Sequence, residues 1–445
     1  MKEYLIYSKF CFIEGSFKEA TLHIEDGQIA SIYSGLNEIN GLRLLNYSEF
    51  IVMPGIIDPH VHINEPGRTS WEGFDTATKA AALGGITTLI EMPLNSDPVT
   101  TTVEAFDIKK EAAQNKLHVN CGFYGGLIPS NLSEVEALLR SGVFGLKGFF
   151  THSGIDEFPN ITKAHLEAVA PILKHTNLPL LLHCELDDHQ VPDVNDPRSY
   201  SAYLNSRPKH WETLAIELAM EIQATYNIKV HIVHLSAASA LEGIKRHKQS
   251  STGLSVETCP HYLFFNAESI PDGSPIYKCA PPIREKQNND QLWKALENGE
   301  FDFIGSDHSP APPVIKQLES GDFFKAWGGI SGLQFSLAVL NTLAKKNDFP
   351  IDKLLPLMTS RPAQFLGIEH KKGLLKQGYD ADITVWDAQQ SIAINEDMIA
   401  HRHKATPYLG RTLFGKVIHT FVNGHQIVEN SEFIKRSKGT LLLKK

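Results

Sequence analysis

Ile51-Val52-Met53-Pro54-Gly55-Ile56-Ile57-Asp58-Pro59-His60-Val61-His62 is an apolar run that ends in two histidines one residue apart. Side chains on a strand alternate faces with a period of two. His60 and His62 therefore face the same way, and Val61 turns into the packing behind them. Two imidazoles about 6–7 Å apart along a strand can grip one cation. The pair alone is a weak signal, since a lone histidine at a strand end is most often a satisfied core residue. Recurrence strengthens it. Lys147 follows Val143-Phe144-Gly145-Leu146, and His183 follows Leu178-Pro179-Leu180-Leu181-Leu182. His234 follows Val230-His231-Ile232-Val233, and Asp307 follows Phe303-Ile304-Gly305-Ser306. Ligand-type residues at the C-terminal ends of five strands predict an α/β fold of the (β/α)8 TIM-barrel type, whose chemistry sits at the carboxyl end of its strands.

Lys147 is the most telling member. A charged lysine closing an apolar strand is costly to bury. One explanation is an ammonium that reaches solvent along its alkyl stem. The chemical explanation is a neutral amine that adds CO2 to give a carbamate. A carbamate carries two oxygens and a negative charge, so it can bridge two divalent cations. The sequence thus predicts a two-metal site from His60, His62, Lys147, His183, His234 and Asp307.

The chain has 445 residues, enough for one large domain and a smaller one. It is 42% hydrophobic with a net charge of −9 and has no basic block. Nucleic acid and anionic membranes are therefore poor partners. No run of eighteen apolar residues spans a bilayer. The start, Met1-Lys2-Glu3-Tyr4, lacks the pattern of a signal peptide. Cys11, Cys121, Cys184, Cys259 and Cys279 stand singly. An odd number without paired spacing argues for reduced thiols and a cytoplasmic protein.

Residues 1–52 read as short strands and turns, among them Tyr4-Leu5-Ile6-Tyr7 and Ala20-Thr21-Leu22-His23-Ile24. Strand and helix patterns alternate over 53–367, with about eight strands, as a barrel requires. Residues 368–445 return to strands, and Asn423-Gly424 gives a hairpin signal. Each end is too small for a secure core alone, so the two are expected to pair into one composite β-sandwich.

Taken together, these residues resemble the amidohydrolase superfamily, in its cyclic-amide branch of dihydroorotases, hydantoinases and allantoinases. The resemblance rests on residues 53–62, the Lys147 strand, Leu181-Leu182-His183, Val233-His234-Leu235-Ser236, residues 257–263 and Gly305-Ser306-Asp307-His308-Ser309-Pro310. Within the branch the chain is most similar to the allantoinases, through residues 63–73, Met92-Pro93-Leu94-Asn95-Ser96, 153–159 and 327–334. Where dihydroorotases have an arginine for the substrate carboxylate, this chain has Asn64. An uncharged amide suits an uncharged ring and does not fork onto a carboxylate.

The resemblance implies hydrolytic opening of a cyclic amide, allantoin to allantoate in purine degradation, by a water activated between two metals. It assigns His60, His62 and Asp307 to the more buried metal and His183 and His234 to the other, with carbamylated Lys147 bridging. Asp307 would act as general base and then acid. Zn2+ suits these ligands, and Co2+, Mn2+ or Fe2+ also fit. Asn95 and Asn64 are candidate substrate contacts. Residues 278–284 could offer backbone groups to the ring, and His152 is a loop residue near it. His261 and His308 are expected to support the ligands from behind. A homotetramer is implied by resemblance alone. A hydantoinase or dihydropyrimidinase is the enzymatic alternative. The non-enzymatic alternative is a scaffold that has lost its metals, and six filled ligand positions argue against it.

Overall fold

The structure, a computed structural model, describes residues 3–187, 196–434 and 438–444. Nine strands from the two ends of the chain form one mixed sheet. Its order is Glu432–Phe433, His425–Glu429, Thr412–Val422, Ile383–Ala393, Ile51–Pro54, Glu3–Ile13, Ser16–Glu25 and Gln28–Ser34. Leu44–Asn46 lies beside Glu3–Ile13. Ile51–Pro54 joins the halves by running antiparallel to Ile383–Trp386, with Val52 opposite Val385. The sheet thus continues through Pro54, past the expected change of segment at residue 52. Tyr4, Ile6, Leu22, Ile24, Val52, Ile383, Val385 and Phe421 share its core. Alternating burial on these strands follows from the period-two pattern. The expected hairpin forms at Asn423 and Gly424, with φ of 49° and 73°. Two left-handed residues in a row match the twist of the flanking strands.

From Gly55 the chain leaves that sheet. A Cβ here would lie 2.1 Å from the Thr87 Oγ1, so only glycine lets the two segments pass. Ile56–Val61, Ile86–Glu91 and Asn120–Phe123 form a parallel three-stranded sheet. Gly125–Gly126, Leu146–Phe149, Leu180–His183, Val230–Ile232, Leu254–Thr258 and Phe303–Ile304 form a parallel six-stranded one. A parallel bridge from Val61 to His308 ties the first of these strands to the chain just past the last. These strands are buried along their length, as parallel strands covered on both faces must be.

Helices alternate with them. Lys163–Thr176 shows why. Leu166, Val169, Ala170 and Leu173 fall on one face and are buried. The ring of His165 accepts from the Thr162 N–H at its start, and Asn177 ends it in the left-handed region at φ 57°. Among the described residues no helix is long and apolar enough to cross a membrane.

One strand differs from its reading. It spans Leu146–Phe149 rather than residues 143–146, so Lys147 sits inside the ladder and not beyond its end. Gly145 rests against the Pro179 carbonyl, and only from Leu146 does the chain come into register with Leu180.

Candidate metal centre

His60 lies on Ile56–Val61 and His62 one residue past it, so both project from the same strand end. Their ring centroids are 5.6 Å apart. Asp307, at φ 46° three residues after Phe303–Ile304, brings its Oδ1 within 3.2 Å of the His60 Nε2 and 3.4 Å of the His62 Nε2. Donor atoms of these three residues all fall within 4.8 Å of one another.

His183 ends Leu180–His183, and His234 follows Val230–Ile232 at φ 39°. The His183 Nδ1 is 3.1 Å from the His234 Nε2, and the His60 and His234 rings are 5.5 Å apart. His183 and His234 thus adjoin the first cluster, and His60 links them to it. Lys147 is 1% exposed, and among the described residues its Nζ has no hydrogen-bond partner. Its charge acts on His62, His183 and His234, which places all of them in one electrostatic unit.

Burial governs the protonation of this unit. It pushes Lys147 down to about 8, so an appreciable share of the amine is neutral near neutral pH. It pushes His62 down to about 4, and lowers His183 and His234 as well. Neutral imidazoles are the ligand form. Burial opposes charge on Asp307 too, but His60 outweighs it, and the carboxyl lies well below the usual range. For His60, the carboxylates of Glu257 and Asp307 overcome burial and raise it to about 9.

Two carboxylates behind the cluster orient its imidazoles. Glu257 accepts from the His60 Nδ1 and receives the His234 backbone N–H at 3.2 Å. Glu185 lies 2.8 Å from the His183 Nε2 and takes the Arg207 guanidinium on the same carboxylate. These partners were not anticipated, although Glu185 stands two residues after His183, the spacing that puts both on one strand face.

The donor set fits divalent cations. Imidazoles, a carboxylate and a buried lysine converge, and among the described residues the His234 Nδ1 and the Lys147 Nζ are buried without hydrogen bonds. A second group of metal-ligand size, Cys259, His261 and Asp307, shares the same carboxylate.

The cluster forms the floor of a cavity of about 640 Å³, lined also by Arg68, Trp71, Asn95, Tyr203, Arg207, Lys278 and Trp327. Asn95 lines it at φ 69°, its Nδ2 is 3.4 Å from the His62 Nδ1, and among the described residues its Oδ1 has no hydrogen bond. His152 also lines it, half-exposed beside Asp156. Asn64 stands apart. It is fully buried, donates to the Pro310 carbonyl at 3.2 Å, and is not among the cavity-lining residues. His308 likewise faces away, accepting the Gly332 N–H, while its backbone carbonyl accepts from His62. His261 is buried, with its Nε2 unpartnered.

Strand-end imidazoles and a carboxylate around a buried lysine, at the floor of an open cavity, are the parts of a hydrolytic metal centre. The model of the Amidohydrolase family matches residues 51–427, and the chain belongs to that family. Within it the chain falls among the allantoinases. It is 41% identical to an allantoinase of Arabidopsis thaliana, over 99% of this chain and 91% of that one. It is 38% identical to an allantoinase of Saccharomyces cerevisiae, over 97% and 96%. Among solved structures, an L-hydantoinase (dihydropyrimidinase) from Arthrobacter aurescens superposes with a TM-score of 0.94. It is 29% identical, and all of both chains is covered.

Proposed function

We propose that this protein opens the ring of allantoin by hydrolysis to give allantoate. The single observation that carries this is identity of about 40% to allantoinases along nearly the whole chain. The convergence of His60, His62, His183, His234, Lys147 and Asp307 at one cavity floor supports it independently.

In this reading the parallel strands of residues 53–367 close as a (β/α)8 barrel, and residues 1–52 and 368–445 build one β-sandwich beside it. His60, His62 and Asp307 would hold one divalent ion, and His183 and His234 the other. Lys147, as its carbamate, would add two ligand oxygens and a negative charge to that set. Zn2+ is the first choice for these ligands. When bound, such a pair lowers the pKa of water and polarises a carbonyl oxygen. The remaining steps belong to the chain. Asp307, ionised at neutral pH, accepts the proton that the attacking water gives up. It returns that proton to the ring nitrogen as the carbon–nitrogen bond breaks. Glu257 and Glu185 keep the His60 and His183 rings in place through the cycle. Asn95 offers an unpaired amide oxygen to a ring N–H. The five described cysteines are unpaired and buried, which suits the reducing cytoplasm. Assembly as a homotetramer is part of the same reading.

A second reading, a hydantoinase, is favoured by the likeness to the Arthrobacter enzyme. Ring-opening assays of metal-replete protein on allantoin, hydantoin, dihydrouracil and dihydroorotate separate the two. Allantoin turned over fastest is the expected result. Hydantoin turned over equally well would support the second reading, and failure on all four would overturn both.

A further inference from the structure

Beyond Lys147, the cavity wall carries three largely enclosed cationic side chains, Arg68, Arg207 and Lys278. Two are already neutralised. Arg68 donates to Glu157 at 2.8 Å and to the carbonyls of Asn95 and Ser96, and lies over the Trp71 ring. Arg207 donates to Glu185. Lys325 lies at the exposed rim, 3.6 Å from Asp322. Lys278 differs. Its Nζ donates to the carbonyls of Ala326 at 2.5 Å and Phe324 at 3.3 Å, and among the described residues it has no carboxylate partner.

An ammonium has three N–H donors. Two are committed to carbonyls, which leaves one for a ligand. The position is fixed from below, because Lys316 donates to the Lys278 carbonyl at 2.7 Å and to the Trp327 carbonyl at 3.0 Å. Lys278 is thereby clamped to the same loop whose carbonyls it holds. Its Nζ also lies 5.1 Å from the centre of the Tyr203 ring, a second cavity-lining group.

We propose that Lys278 is a specificity residue, whose third N–H donates to the carbonyl oxygen of the ureido arm that allantoin carries and a bare hydantoin ring lacks. This rests on the allantoinase reading. The ring itself belongs at the cavity floor, among the imidazoles and Asp307. The arm needs a strong donor on the wall, and Lys278 is the wall cation not already matched to a carboxylate. Burial, aided by Arg207, pulls Lys278 down to about 7 against the pull of Asp322. An acceptor on the third N–H favours the ammonium, and the neutral amine would have no N–H left to give.

The test uses metal-replete Lys278→Met enzyme, with Lys278→Gln as a gentler second variant that keeps a donor for the loop. Allantoin and hydantoin are assayed side by side, with thermal melting of each protein. A lost charge-assisted hydrogen bond predicts that kcat/KM for allantoin falls about 10- to 100-fold further than for hydantoin. Most of that fall is expected in KM. Equal losses on both substrates would show a clasp for the loop and nothing more, and would overturn the proposal. So would unchanged allantoin kinetics. A wild-type enzyme that opens hydantoin but not allantoin would overturn the underlying reading, and this inference with it.

Discussion

The Nε2 of His183 lies 2.8 Å from the Oε2 of Glu185, two residues further along the same chain direction. Burial opposes charge on Glu185, but Arg207 and His183 outweigh it and hold the carboxyl well below the usual range. A permanently charged acceptor fixes which nitrogen of His183 carries the proton, and leaves the Nδ1 facing His234. The orientation of one proposed ligand is thus set by a carboxylate behind it, and that carboxylate is set by an arginine of the cavity wall.

Glu185→Ala is therefore expected to act twice. Loss of such an outer partner lowers metal affinity or activity by about 10- to 100-fold. It also strands the Arg207 guanidinium. Breaking a buried pair costs roughly 3–5 kcal/mol, and the partial exposure of Arg207 places the loss at the lower end. Metal content after dialysis and urea unfolding check the two effects separately. Glu185→Gln should keep more of the stability than of the metal.

The mouth of the cavity offers a contrasting case. Arg68 and Glu157 pair at 2.8 Å, with Glu157 about half-exposed. A pair of that kind contributes about 0–1 kcal/mol. Glu157→Gln should leave the melting temperature nearly unchanged. The same change frees Arg68 at the cavity wall, so KM for allantoin should move while kcat holds. A large drop in melting temperature would contradict this account.

Much of this was legible in the sequence, and the reason is geometric. His60, His62, His183 and Asp307 stand at or close to strand ends, where period-two alternation predicts direction from sequence alone. The two chain ends were expected to pair because each is too small for a secure core, and strands of both do share one sheet. Asn64 shows the limit. The resemblance, through the arginine that dihydroorotases have there, suggested a substrate contact, but Asn64 has a left-handed backbone at φ 66° and donates to Pro310. Arg207 and Lys278 could not be placed from spacing. They reach the cavity from segments whose path depends on how loops pack, and Lys278 is held by the carbonyls of Phe324 and Ala326, some fifty residues away.

Stability should fall on mild acidification. His401 is buried, and burial pulls it down to about 3 against the pull of Glu72. Its folded value lies below the unfolded one, about 6.5. The neutral form belongs to the fold, so the contribution is fully present above pH 6.5 and is lost as pH falls toward 3. The slope is up to about 1.4 kcal/mol per pH unit for each such histidine. His261, pulled down to about 4 by burial, adds in the same direction. Urea midpoints between pH 7 and 5 should decline, and His401→Leu should decline less steeply. Parallel slopes would rule out the contribution of His401.

Lys147 gives the sharpest test of the centre. Its Nζ is buried with no hydrogen bond among the described residues, and burial lowers it to about 8. Both facts favour a neutral amine open to CO2. Lys147→Ala removes the proposed bridging group and opens space in the cavity that His62, His183 and His234 also line, and Lys147 influences the protonation of all three. The variant is expected to bind little metal and to have no measurable activity. Acetate or propionate should enter that space and restore part of both, because a carboxylate offers the same two oxygens as a carbamate. Rescue should require metal in the buffer and should fade with bulkier acids that the cavity floor excludes. Wild-type protein prepared under CO2-free conditions should likewise hold less metal, and should regain it with bicarbonate. A Lys147→Ala enzyme with two metals and normal turnover would remove Lys147 from the site and leave its burial without a chemical reason.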